Sequence, residues 1–295
     1  MNISSFLSEE LWLVILAAIF LGICLPQPGG YLAPYAIYLL LGVMFLTGLE
    51  IELHYIKSTL QNKRNFIASF LIIFLVMPLV AFILSLPLPN DLKLGIILMA
   101  TMPIGMSSTF FILKVGGDAA YALVLTTLTT LATPFLAPMI VKTLTGVFVE
   151  INAFELFVSL LELVVLPFGL ALIFRNFGKG LSKRLLKISS PITSILIFLI
   201  IWGILSKTNF LFPEIWQVVL IELIMLAVGF GVGYCMVKRD RVTMGLTSAS
   251  KNVTLSMVIA LNIFNPVVAI PSIIWVLLRN VAIVPALWIW GRKKA

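Results

Sequence analysis

Two cations stand where hydrocarbon is expected. The stretch TSASKNVTLSM, residues 247–257, lies inside an apolar run long enough to cross a membrane, with Lys251 near its middle. Leu278-Arg279-Asn280 places a second cation in the middle of the last apolar run. A central lysine costs about 2.5–3.5 kcal/mol on insertion scales, so it requires a partner or water. Ten residues separate Lys251 from Arg241, about 15 Å of helix rise, which is too deep for an easy snorkel to the interface. The chemistry such cations offer is recognition of an anion. Asn252, Asn280, Ser107 and Thr254 can add uncharged hydrogen bonds, and half-helix N-termini near Ser107 and Asn252 would add positive dipole. Glu222 and Glu162 are the acids inside apolar runs, both nearer the run ends. A lipid-facing or structural role is the alternative for Arg279. Bond-making chemistry has little to work with. The single histidine, His54, sits in a basic loop, and a Ser–Lys dyad of Ser248 or Ser250 with Lys251 is the one arrangement an intramembrane enzyme could use. No catalytic residue, metal cluster or cofactor is expected.

The elements that hold these residues are membrane helices. Of 295 residues, 61% are hydrophobic and 11% charged, and mean hydropathy is +1.15. Soluble domains are about 45–50% apolar and about 25% charged. The net charge of +8 sits in loops beside apolar spans and does not point to nucleic acid. Ten apolar segments are expected, at roughly 11–25, 32–49, 66–86, 93–114, 119–144, 155–175, 189–206, 214–237, 242–263 and 267–291. The first follows Glu9 and Glu10 rather than a basic region and reads as a retained helix. Cys24 and Cys235 fall in apolar runs and read as free buried thiols. The cations Lys57, Lys63 and Arg64, then Arg175, Lys179, Lys183, Arg184 and Lys187, then Lys238, Arg239 and Arg241, and last Arg292, Lys293 and Lys294 all fall on one side of a ten-span chain. Little more than Lys93 and Lys207 lies opposite. This predicts a multi-pass protein of the cell membrane (the inner membrane, if bacterial) with both termini cytoplasmic.

Five spans per half is an odd number, so a duplication of residues 1–145 as 146–295 would lie inverted in the membrane, as secondary transporters do. The fourth span in each half is interrupted in its chemistry. ILMATMPIGMSSTFFILK carries Pro103, Gly105, Ser107, Ser108 and Thr109, and VTMGLTSASKNVTLSMVIAL carries Gly245, Thr247, Ser248, Ser250, Lys251, Asn252 and Thr254. Unwound backbone at membrane depth survives only where protein or a water-filled cavity satisfies it.

These motifs resemble the bile acid–sodium symporter family, within a wider group of ten-helix transporters. Pro103-Ile-Gly-Met-Ser-Ser108-Thr109 is similar to the family's fourth-helix pattern P-G-G-T-x-S-N, and Thr247-Ser-Ala-Ser-Lys251-Asn252-Val-Thr-Leu255 to the ninth-helix pattern E-x-G-x-Q-N-S-x-L. GGDAAYALVLTTLTTLATPFLAP, the Met77-Pro78 pair and Leu278-Arg279-Asn280 also match. The resemblance implies an all-α polytopic membrane protein of ten transmembrane helices in two inverted five-helix repeats, the fourth and ninth broken and crossing. It also implies a core of spans 3–5 and 8–10 moving against a panel of spans 1–2 and 6–7.

Carried over from the family, Ser108 matches a sodium-ligating serine, Thr109 replaces an asparagine, and Thr126 matches a fifth-helix hydroxyl. Ala122 and Ile73 stand where polar ligands would be, Thr247 replaces a glutamate and Lys251 a glutamine. The site has lost its carboxylate and gained a fixed positive charge. Two unit charges at about 4 Å repel by roughly 4 kcal/mol at an effective dielectric of 20, so sodium binding is expected to fail. The Lys251 ammonium would stand in for the ion, donating to carbonyls left free at the C-terminal end of a half-helix. The expected substrate is an organic anion bound by Ser107, Ser108, Thr109, Asn252, Thr254, Arg279 and Asn280: a bile acid, pantoate or a keto acid. Membrane lipid is the other expected partner, nucleic acid is not, and the sequence leaves the oligomeric state open. An auxin-efflux-like or malonate-type anion carrier of the same group, and a sodium- or proton-coupled symporter, remain alternatives.

Overall fold

The computed structural model describes residues 11–51, 63–105, 107–146, 148–208, 212–236 and 240–291. His54, Lys57, Lys238, Arg239 and Arg292 to Lys294 lie outside them, and so does the side chain of Ser107. Among the described residues every regular element is helical. In chain order the principal helices are α1 (Leu11–Cys24), α2 (Ala36–Glu50), α3 (Lys63–Ser85), α4 (Asn90–Thr101), α5 (Ser107–Lys114) and α6 (Ala119–Thr145). They continue with α7 (Ala153–Phe177), α8 (Lys179–Leu205), α9 (Ile215–Met236), α10 (Arg241–Ser248), α11 (Val253–Ile263) and α12 (Ile270–Gly291).

Six helices among the described residues are long and apolar enough to cross a membrane unaided. The runs expected at 93–114 and 242–263 are not among them, because each is two short helices, α4 with α5 and α10 with α11. Large side chains such as Phe20, Met139 and Trp216 stand on the outer surface, at 65%, 68% and 78% exposure. In water that would be a liability; against acyl chains it is the expected face. Cys24 and Cys235 are free but also exposed on this face, which corrects their reading as buried thiols. Their apolar setting is lipid rather than protein.

Local sequence explains several boundaries. Asp118 and Asn152 cap α6 and α7 by accepting from Tyr121 N at 2.9 Å and Glu155 N at 3.2 Å. The Asp118 N–H donates to Thr243 Oγ1 at 2.9 Å, fastening the start of α6 to α10. Arg175, in the last turn of α7, donates to the carbonyls of Leu49 and Ile51, groups that the end of α2 leaves without helical partners. In α3, residues Ile72–Val76 form a π-turn in which Met77 N bonds Ile72 O. The Ile73 carbonyl would then need the N–H of residue 78, but that residue is Pro78. Ile73 O is left without a donor from its own helix.

In packing, α2 lies against α7 and α8, and α1 against α8. Across the molecule, α9 packs on α10, α12 and α3, and α4 on α6, α3 and α12. With lipid outside, these contacts rest on close fit and internal hydrogen bonds rather than on expulsion of water.

Candidate functional site

The two interruptions meet. Asn252 N donates to Pro103 O at 2.8 Å, and Gly105 N to Ser250 O at 3.4 Å. Backbone freed by leaving one helix is thus satisfied by backbone freed from the other. The approach is close enough to need glycine: a Cβ at Gly105 would sit 2.6 Å from Lys251 O and 3.3 Å from an Arg279 guanidinium nitrogen. Ile104 N adds a bond to Thr129 Oγ1 of α6 at 3.4 Å. Asn252 caps α11, its Oδ1 accepting from Leu255 N at 3.2 Å.

Lys251 is fully buried. Its Nζ donates to Ile73 O at 3.1 Å and to Met102 O at 3.4 Å. Met102 follows the last residue of α4, where helical carbonyls are unpaired and the dipole is negative. Ile73 O is the carbonyl left free by the π-turn and Pro78. Position 73, where the family resemblance implies a polar side chain, contributes through its main chain instead. The ammonium thereby ties α3, α4 and the second interruption to one point.

The hydroxyls divide in two. Thr247 Oγ1 turns back to Met244 O at 3.0 Å, inside its own helix. On α6, Thr127, Thr129, Thr130, Thr133, Thr143 and Thr145 likewise donate to carbonyls one turn earlier. Thr126 does not. Its Oγ1, with Ser108 Oγ and Thr109 Oγ1, is buried without a hydrogen-bond partner among the described residues. Ala122 packs in an apolar group with Phe111, Ile112 and Leu246, so nothing polar replaces the expected hydroxyl there.

A cavity of about 250 Å³ opens beside the crossing. Thr109, Lys251, Asn252, Thr254 and Arg279 line one wall. Asn280 does not reach that wall: both its side-chain polar atoms are buried without a partner among the described residues. The opposite wall comes from α2 and α8, with Thr47, Glu50, Ser190, Thr193 and Ser194 among apolar groups such as Val43 and Ile197. Glu50 accepts from Ser189 Oγ at 2.7 Å. The cavity is therefore not purely cationic, as the sequence suggested; a carboxylate faces it from α2. Glu50 reads in the sequence as the start of a charged loop, whereas α2 carries it as its last residue. The hydroxyl cluster Ser189-Ser-Pro-Ile-Thr-Ser194, where α8 passes from its basic first half to its apolar second half, is the sequence signal for the second wall. Glu222, expected near a span end, is fully buried.

In outline the site is a crossing of main chain, clamped by an ammonium, beside a small cavity with polar groups set among apolar ones. It has groups to bind and orient an anion. The family model described as the Sodium Bile acid symporter family matches residues 37–214, more than half of the chain. The chain is 23% identical over 295 residues to the "Uncharacterized sodium-dependent transporter YocS" of Bacillus subtilis (strain 168), covering 96% of this chain and 90% of that one. It is 27% identical over 235 residues to the "Probable sodium/metabolite cotransporter BASS1, chloroplastic" of Oryza sativa subsp. japonica, covering 76% of this chain but 58% of that protein. It is 27% identical over 206 residues to the "Ileal sodium/bile acid cotransporter" of Cricetulus griseus, covering 66% and 58%. By that family model, the chain belongs to the sodium bile acid symporter family.

Proposed function

We propose that this chain is a secondary transporter of small organic anions, working by alternating access without sodium, with Lys251 in the place of the ion. Its family and relatives are transporters, not enzymes, and its apolar helices make it a multi-pass membrane protein. The observation that carries the reading is the Lys251 ammonium on the carbonyls of Ile73 and Met102. A positive charge already fills the place where a cation would hold the crossing together, and no carboxylate stands at Thr247 to draw another in.

The substrate meets Arg279, Asn252, Thr254 and Thr109 on the wall of the cavity. At about 250 Å³ the cavity falls below the range of about 300–1,000 Å³ typical of sites for drug-sized ligands. That favours a small hydroxy or keto acid, such as pantoate, over a bile acid. In the proposed cycle the ten spans form two inverted repeats, residues 1–145 and 146–295. The bundle of α1, α2, α7 and α8 serves as the panel, and the remaining helices as the moving core. The chain resides in the cell membrane with both termini cytoplasmic.

The test is uptake of labelled pantoate, and separately of a bile acid, into proteoliposomes with sodium or choline on both sides. Equal pantoate uptake in the two salts is expected. A strict sodium requirement overturns the role given to Lys251. One observation favours that second reading: the oxygens of Ser108, Thr109 and Thr126, the positions matched to family sodium ligands, are buried without a hydrogen-bond partner among the described residues.

A further inference from the structure

Away from the cavity, α9 carries a carboxyl group that the substrate site does not use. Glu222 is 0% exposed, and neither Oε1 nor Oε2 has a hydrogen-bond partner among the described residues. An ionised carboxylate in such a place has nothing to replace its lost hydration. A proton is the smallest ligand that removes the charge.

Among the described residues, the elements around it offer no other compensation. The elements packed most closely on α9 are α10, α12 and α3. From Ile72 to Ser85, α3 brings no titratable side chain, and its Lys63 and Arg64 are exposed at the far end of the helix. The basic residue of α10 is Arg241, exposed and lying over the Tyr234 ring at 5.7 Å. Just past α10, Lys251 is engaged with Ile73 O and Met102 O. From α12 comes Arg279, which lines the cavity. On α9 itself the titratable groups are Tyr234 and Cys235, more than three turns from Glu222.

Position on the helix supplies the second observation. Glu222, Gly229 and Gly233 are separated by two turns and one turn, so they share a face. A Cβ at Gly229 would lie 3.1 Å from Ser248 O and 3.3 Å from Ala249 Cα. At Gly233 it would lie 2.5 Å from Met244 O. The face that buries Glu222 is thus in main-chain contact with the segment leading into Lys251. A shift of α9 is passed to the crossing with little slack, because on α9 itself no side chain stands at these two contacts; Met77 Sδ and Ser248 Oγ are the neighbouring side-chain atoms.

We propose that Glu222 is a proton-binding site that couples transport to a proton gradient. The proposal rests on the transporter reading. One proton joins a carboxylate oxygen of Glu222 when the site faces one side of the membrane and leaves that oxygen when it faces the other. No bond to the transported anion forms or breaks. With sodium absent from the cycle, the proton serves as the coupling ion.

The test uses the full chain in proteoliposomes with labelled pantoate, and infrared spectroscopy of the same preparation. An inward gradient of about one pH unit allows up to about tenfold accumulation for one proton per monovalent anion. Wild type should approach that ratio. Glu222→Gln should still exchange internal for external pantoate but fail to concentrate it. Wild type should also show the carbonyl-stretch band of a protonated carboxylic acid, and E222Q should lack it. Equal accumulation by E222Q and wild type, or a band unchanged in E222Q, overturns the proposal. If wild type neither exchanges nor accumulates pantoate, the organic-anion reading fails for that probe and the band alone decides. A band that disappears in E222Q then upholds the proton site, and a wild-type spectrum without it overturns the site. Should E222Q not fold, Glu222→Asp replaces it: a shifted band supports the assignment, and an unshifted one overturns it.

Discussion

Replacing Lys251 with methionine isolates the charge from the space it fills. Methionine keeps most of the aliphatic stem, so the packing cost of the swap is small. What is lost is the ammonium, with its hydrogen bonds at 3.1 Å to Ile73 O and 3.4 Å to Met102 O. Hydrogen bonds to charged groups are worth about 1.5–3 kcal/mol each. At these lengths the lower part of that range applies, giving a total of about 3–4 kcal/mol. Two buried carbonyls are also left unpaired. A penalty of that size reduces the population of the intact crossing by between two and three powers of ten. Initial uptake of pantoate by Lys251→Met in proteoliposomes should therefore fall at least about a hundredfold. The midpoint of thermal unfolding in detergent should fall with it. Lys251→Ala loses the same bonds but leaves room for an ion, so sodium and not choline should partly rescue it, while the methionine variant stays inactive in both salts. A K251M rate within about threefold of wild type, less than 1 kcal/mol, would refute the idea that the ammonium holds the crossing. An inactive K251A that ignores sodium would refute the narrower idea that it substitutes for an ion.

Three further substitutions probe the neighbouring groups. Gly105→Ala puts a methyl 2.6 Å from Lys251 O; overpacking at about 1–3 kcal/mol should cut uptake and lower the unfolding midpoint together. Asn252→Ala removes the cap on Leu255 N, worth about 1 kcal/mol, and an amide from the cavity wall, so the KM for pantoate should rise more than the maximal rate falls. Arg279→Gln removes a buried guanidinium whose Nε has no partner among the described residues. It should raise KM at least about tenfold without lowering the unfolding midpoint, whereas a loss of fold would assign Arg279 a structural role.

Much of the architecture is legible because a few residue types have strong local consequences. Pro103, Gly105 and the hydroxyls after them coincide with the residues where α4 stops and α5 starts, and Ser250 to Asn252 with the gap between α10 and α11. Lys251 is conspicuous in the sequence because a charge amid apolar residues requires an explanation. Its acceptors are not conspicuous. A carbonyl is present at every residue, and what frees Ile73 O is a π-turn followed by a proline, a combination that resembles an ordinary kink. Glu50 and Ser190 reach the cavity only because α2 and α8 pack across from the crossing, a tertiary relation between distant segments. Counting along the chain puts Glu222 nearer a span end. Burial depends on what packs around α9, and counting cannot supply that.

The paired backbone bonds between the interruptions, Asn252 N to Pro103 O and Gly105 N to Ser250 O, have a mechanical consequence. Two chain segments joined by main-chain bonds behave like neighbouring strands, which slide past one another only if those bonds break, at a depth where replacements are few. Neither interruption can therefore act as a hinge on its own. In the proposed cycle the clasped pair travels as one stiff body past α2 and α8, and the groups it presents keep their mutual spacing throughout. A binding surface carried unchanged from one face of the membrane to the other has nearly the same affinity at both. Net flow would then follow the imposed gradients and would reverse when they reverse.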